Sequence, residues 1–211
     1  EGPFMRAEVT LLADGSAVLH LNVDLLVMDY ASVRMVLADL RRFYEDPGLN
    51  LPKVTLSFRD YVLHERALEG SEAYRRAFRY WMERLSTLPA APQLPLAREP
   101  SSAGRLQFVR RSTRLPSEDW LALKKVARAH GLTPSACVLG CFAEVLGRYA
   151  SSPDFTLNLT LFRRLPVHPQ IADVVGDFTT LALLEVHTGG EVSFAARVKA
   201  LSEQLFRDLD N

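Results

Sequence analysis

The chain has 211 residues, 48% hydrophobic and 24% charged, and its 25 basic and 25 acidic side chains cancel to zero formal net charge. That is enough apolar mass for one large or two small cored domains, and balanced charge argues against a nucleic-acid or anionic-membrane surface as the main business. No apolar run approaches the roughly 18 residues needed to span a bilayer, and the N-terminus lacks a charged-then-apolar signal pattern.

The first elements read as a hairpin. Arg6 to Leu12 alternates and pairs with Ala17 to Val23 across the turn signal Asp14-Gly15. The hairpin ends in Asp24. A short apolar run then leads to Asp29 and a helix from Tyr30 to Tyr44, with Val33, Val36, Leu37, Leu40 and Phe43 at helical spacing. Two readings of the acids stand at this point. Asp24 ends the strand and Asp29 caps the helix, or both sit at the rim of a cleft.

Asp46-Pro47-Gly48 stops that helix, and Leu49 to Val54 is a loop. Ser57 caps a helix over Phe58 to Leu68. Ser71 caps another from Glu72 to Leu85, whose Tyr74, Phe78, Trp81, Met82 and Leu85 form a stripe expected in the core. The prolines at 89, 92, 95 and 100 exclude helix and central strand, so 88–104 is expected as a linker.

Arg105 to Leu115 alternates as a strand, and Ser117 is expected to cap the helix after it, which ends at His130-Gly131. Thr133-Pro134 opens a helix to about Tyr149 that is apolar nearly all round and expected to be buried. Cys137 and Cys141 lie four apart on it. They are poorly placed for a disulfide or a metal site and are expected as buried small residues in a reducing cytoplasm.

Phe155 to Phe162 alternates strictly, with Thr156, Asn158 and Thr160 on a polar face suited to lining a solvated tunnel. Arg163 and Arg164 close it. Asp177 to Val186 is a second strand entered through Gly176. Gly189-Gly190 turns the chain into an amphipathic helix from Ser193 to Leu209, where the chain stops without a terminal cap. None of the five histidines pairs at metal-ligand spacing, and no metal site is expected.

Four motifs carry a resemblance. Asp24 to Ser32 reads D-x-x-x-x-D-x-x-S. Leu88 to Leu96 reads L-P-x-x-P-x-L-P-L. Gly176 to Leu184 reads G-D-F-T-x-L-x-L-L. Thr133-Pro134 through Leu146-Gly147-Arg148-Tyr149 completes the set, with Tyr149 at a tryptophan position. In their order along the chain they resemble the heterocyclization domains of nonribosomal peptide synthetases, within the condensation superfamily.

The resemblance implies an α/β (α+β) fold of two lobes like chloramphenicol acetyltransferase, with a tunnel between them. It implies a domain about twice this length, so that the chain holds its middle half. Residues 1–87 would then be the later part of the N-terminal lobe, 88–104 the linker and 105–211 the early part of the C-terminal lobe, and an isolated half would be of doubtful activity.

The implied reaction joins a carrier-bound acyl thioester to the amine of a cysteinyl, seryl or threonyl thioester. It then cyclises and dehydrates the amide to a thiazoline or oxazoline, as in siderophore and other natural-product assembly. Implied partners are upstream and downstream carrier domains, with substrates on phosphopantetheine, and an adjacent adenylation domain. No cofactor of its own, no nucleic acid and no membrane are implied, and the setting is cytoplasmic.

Related condensation domains carry H-H-x-x-x-D-G at this junction. Matching its aspartate to Asp29 places Asp24 and Leu25 where the histidines would be, which argues against plain histidine-assisted condensation. By resemblance Asp29 is architectural, with Arg164 as candidate partner, and Asp24 is structural as well. Dehydration needs a proton acceptor and a hydroxyl donor. The resemblance points to Thr179 and to an acid roughly thirty residues on, Asp210 ahead of Asp208, with Asp177 as the other candidate. Arg163 departs from the asparagine usual there. The competing functions are a plain condensation or acyltransferase domain, and a non-catalytic platform that docks acidic carrier domains on arginines such as Arg75, Arg76, Arg79 or Arg110, Arg111 and Arg114.

Overall fold

The structure, a computed structural model, describes residues 3–97, 104 and 109–211. Contacts divide the chain into two compact units. The first comprises Glu1–Tyr74 with Thr160–Leu181, the second Arg75–Leu159 with Ala182–Asn211. The packing boundary therefore falls elsewhere than the expected linker, part of which (98–103) lies outside the described residues.

In the first unit, β1 (Met5–Leu11) and β2 (Ala17–Val23) form an antiparallel hairpin in the register Met5↔Val23 to Leu11↔Ala17. Gly15 turns it at φ 83°, a backbone that L side chains rarely adopt. Helix α1 is Tyr30–Glu45, capped by Asp29, and α2 is Phe58–Ala67, opened by a capping box in which Ser57 and Asp60 satisfy each other's backbone N–H. Tyr61, Val174 and Phe178 form the buried core, with Leu56, Phe58, Val62, Leu165, Val167 and Ile171 packed around it. A short 3-10 turn spans Ile171–Asp173.

Helix α3 (Glu72–Leu85) has the expected bounds but no buried residue. The predicted core stripe is corrected here, because Phe78 is 57% and Met82 53% exposed.

In the second unit, α4 (Ser117–Ala129) and α5 (Pro134–Tyr149) flank Gly131, and α6 is Phe194–Leu209. Thr133 and Ser193 cap α5 and α6 by accepting from Ala136 N–H and Ala196 N–H. The cap of α4 falls on Pro116 rather than Ser117, and makes no side-chain bond. The second core joins Ala143, Phe155, Leu157, Leu184 and Val186, and a third cluster joins Ala127, Ala136, Cys137 and Val198.

Strands β3 (Asp154–Phe162) and β4 (Thr179–His187) pair with each other. Bonds from Arg163 N–H to Phe178 O and from Thr188 N–H to Pro153 O bracket them in antiparallel sense. The start of the proline-rich stretch lies along β3, where Thr156 donates to Pro89 O and Ala90 O. Hydrogen bonds therefore tie that part of the expected linker down.

Four further expectations are corrected. Of the expected strand from Arg105 to Leu115, residues 105–108 lie outside the described residues and 109–115 are not strand, since no described strand pairs with them. Helix α5 buries only the face of Ala136, Cys137, Gly140 and Ala143, and Phe142 and Val145 stay more than half exposed. Cys141 is accordingly exposed, while Cys137 is buried. The last helix also has a terminal cap, because the Asn211 side-chain amide donates to Arg207 O.

Helix α5 meets α6 at Gly140. A Cβ there would collide with the Val198 side chain and lie 3.5 Å from the Phe194 ring. Gly140→Ala is expected to cost about 1–3 kcal/mol from overpacking, read as a lower denaturation midpoint at constant m-value.

Candidate functional site

The first unit gathers residues of two of the four motifs, together with Arg164, around the start of α1. Asp29 is a helix N-cap, so its carboxylate accepts from Ser32 N–H at 2.7 Å. The same carboxylate accepts from Arg164 Nη1 at 3.1 Å and Nη2 at 3.3 Å, and from Phe178 N–H at 3.3 Å. Ser32 Oγ donates to Gly176 O at 2.8 Å and accepts from Gly176 N–H at 3.1 Å and from Arg164 Nη2 at 3.0 Å. Asp29 N–H also donates to Gly176 O at 3.0 Å. Asp29 and Ser32 are 1% and 0% exposed.

The Arg164 guanidinium lies 4.0 Å from the centroid of the Phe178 ring, a cation–π contact, and its Nε has no partner among the described residues. Burial pushes the Asp29 carboxyl up. The Ser32 N–H, the Arg164 guanidinium and the Ser32 hydroxyl outweigh that, and the net effect holds it below the ordinary carboxylate value.

This network explains why β4 begins at Thr179 rather than at the expected Asp177. The Gly176 and Phe178 N–H groups are spent on α1 instead of a strand ladder. Thr179 stands at the head of β4 with its side chain exposed, and its N–H donates to Asp177 Oδ1 at 3.0 Å. Asp177 is half-buried and forms that turn. Asp24 is exposed and forms a similar turn, accepting from Leu26 N–H at 2.9 Å. Asp24 thus stands apart from the Asp29 network. Asn158 and Thr160 are exposed on β3.

The second unit holds the remaining acids. Asp210 is the exposed C-cap of α6, and its carbonyl accepts from Arg76 at 3.5 Å. Asp208 is buried. Its Oδ1 accepts from Arg84, from Tyr80 Oη at 2.6 Å and from Gln204 Nε2 at 2.8 Å, whereas Oδ2 has no partner among the described residues. Arg84 Nη2 reaches Glu185 at 3.1 Å. Burial, then the Asp208 carboxylate, pushes the Tyr80 hydroxyl up, so it remains a donor.

Tyr80, Arg84, Glu185 and Gln204 were missed by sequence reasoning. The available signal was spacing: Tyr80 with Arg84 and Gln204 with Asp208 are both four apart on helices. Nothing in the sequence says that these two faces meet. Among the described residues no group of three His, Cys, Asp or Glu is placed to hold a metal ion.

Chemically, the first unit presents a rigidly held backbone with an exposed hydroxyl at Thr179. The second presents an exposed carboxylate at the end of α6 and a buried, ion-paired one beside it.

The family model described as the condensation domain matches residues 1–211. The chain is 40% identical to pyochelin synthetase PchF of Pseudomonas aeruginosa over 209 residues, covering 99% of this chain and 11% of that protein. It is 36% identical to phenyloxazoline synthase MbtB of Mycobacterium tuberculosis, covering 97% and 14%. Among solved structures, the EpoB cyclization-docking bidomain of Sorangium cellulosum superposes with a TM-score of 0.93 at 40% identity, over 100% of this chain and 43% of that one. The first condensation domain of the calcium-dependent antibiotic synthetase shares the fold, with a TM-score of 0.73 at 22% identity over 98% and 46%. The chain thus spans about a tenth of the curated relatives and less than half of these structures.

Proposed function

The chain belongs to the condensation-domain family of peptide synthetases, and from that premise we propose that it is part of a heterocyclization domain. One observation carries the choice within the family. The cyclization bidomain matches at 40% identity over the whole chain, and the plain condensation domain at 22%. The acids Asp24 and Asp29, with no imidazole at the junction, agree with it.

In this reading the amine of a carrier-bound cysteine, serine or threonine attacks an upstream acyl thioester. An amide forms and the donor carrier's thiol leaves. The side-chain thiol or hydroxyl then adds to the amide carbonyl, and the hydroxyl so formed departs as water, leaving a thiazoline or oxazoline. The Thr179 O–H donates to the departing oxygen, and the Asp210 carboxylate accepts the proton from nitrogen. Asp177 orients Thr179 through its N–H, and Asn158 and Thr160 line the substrate path. Asp208, locked to Arg84, is structural. The substrates ride on phosphopantetheine arms of carrier domains beside an adenylation domain, and the domain binds no cofactor of its own. Residues 88–104 link the two lobes of the larger fold.

The test is mass spectrometry of products from the polypeptide that carries this chain, given an acyl-loaded donor carrier and a cysteinyl acceptor carrier. Thr179→Ala and Asp210→Ala are each expected to keep the amide and to lower ring formation by about a hundredfold or more. An amide that never dehydrates in the unaltered protein, with any of the three amino acids, would favour plain condensation. Carrier binding without any amide would favour a docking platform.

A further inference from the structure

We infer that Ser32 and Tyr61 are positioning residues for Thr179, acting through the backbone of residues 176–178. The inference rests on the assignment of Thr179 to dehydration. Four hydrogen bonds from the α1 N-terminus reach Gly176 and Phe178, just before Thr179. Ser32 Oγ holds both the N–H and the C=O of Gly176, Asp29 N–H holds the same carbonyl, and the Asp29 carboxylate holds Phe178 N–H.

The Phe178 side chain is fixed as well. It packs edge-on against Tyr61 at 4.8 Å and Phe58 at 5.0 Å, and Arg164 covers its ring. Tyr61 adds a second restraint. Its hydroxyl donates to Arg163 O at 2.9 Å, and Arg163 N–H donates to Phe178 O at 3.0 Å. Gly176 is required at its place, because the Phe58 ring fills the space a Cβ would occupy.

With the N–H, the carbonyl and the ring of Phe178 all held, one planar peptide sets the start of Thr179, whose own N–H is held by Asp177. The hydroxyl is therefore presented to solvent from a backbone restrained by hydrogen bonds at Gly176, Phe178 and Thr179. A group that must meet a leaving oxygen needs such support, since small misplacements are costly in rate.

The readout is the ratio of ring to open amide made by the polypeptide that carries this chain. A purely structural lesion lowers both products together, whereas a misplaced Thr179 lowers the ratio. Ser32→Ala is expected to lower the ratio about tenfold or more, and Tyr61→Phe, which keeps the ring in the core, severalfold. If Ser32→Ala yields no folded protein, Tyr61→Phe decides. Ratios unchanged in both variants, with ring formation lost in Thr179→Ala, overturn the inference and leave the role of Thr179 standing. Ring formation that persists in Thr179→Ala overturns that role, and the inference with it.

Discussion

Replacing Asp29 with alanine is expected to destabilise the protein by about 3–5 kcal/mol, the range for breaking a buried ion pair from one side. The Asp29 carboxylate is wholly buried and Arg164 is only 14% exposed. The substitution leaves a buried guanidinium facing Phe178 and strips the acceptor from Ser32 N–H and Phe178 N–H.

Asp29→Asn keeps one acceptor oxygen and is expected to fall between the two. Adding Arg164→Met to Asp29→Ala is expected to recover part of the loss, because no unpaired charge then remains, and a double-mutant cycle in urea measures the coupling. The pair also sets an acid limb. The folded pKa of Asp29 lies below its unfolded value, so its stabilisation is fully present above the ordinary carboxylate value of about 3.9. It is lost as pH falls through the lower, folded value. Asp29→Asn should therefore flatten the decline in stability below about pH 4.

Arg84→Ala is expected to cost a similar amount, about 3–5 kcal/mol, in the second unit. Its planar fork ties two elements at once, Nη1 to Asp208 on α6 and Nη2 to Glu185 on β4, and it lies 5.4 Å from the centroids of both Tyr80 and Trp81. Lysine offers a point charge in place of a fork, so Arg84→Lys is expected to restore only part.

Asp208→Ala should match the Arg84 loss, because the guanidinium is then left half-paired in a site where Tyr80 and Gln204 also lose their acceptor. Asp210→Ala should stay within about 0.5 kcal/mol, as expected at an exposed helix end. Melts of the two aspartate variants therefore separate an acid that holds the fold from one that is free to act.

Local chemistry made much of this legible in advance. Asp14-Gly15, Ser57 and Thr133-Pro134 each mark a turn or cap through bonds that close within three or four residues, and the structure places turns and caps at those residues. Expectations that needed a partner elsewhere in the chain fared differently. An apolar helix such as α5 carries a period in its sequence but no record of which neighbour covers each face, so Phe142 and Val145 were expected inside and stand exposed. Alternation at 109–115 resembles a strand, but a strand exists only where another edge supplies its hydrogen bonds.

The same distinction applies to the polar clusters. The sequence by itself determined most of the elements and caps, the family motifs and the residue types available for proton transfer, because these depend on neighbours a few positions apart. Only the tertiary structure decided that Asp29 and Ser32 grip Gly176 and Phe178 more than 140 residues away, and that Arg84 chooses Asp208 over Asp210. Those pairings turn on the burial and direction of side chains from distant segments. A carboxylate's partner is set by which donors share its desolvated space, and that space exists only once the chain has folded.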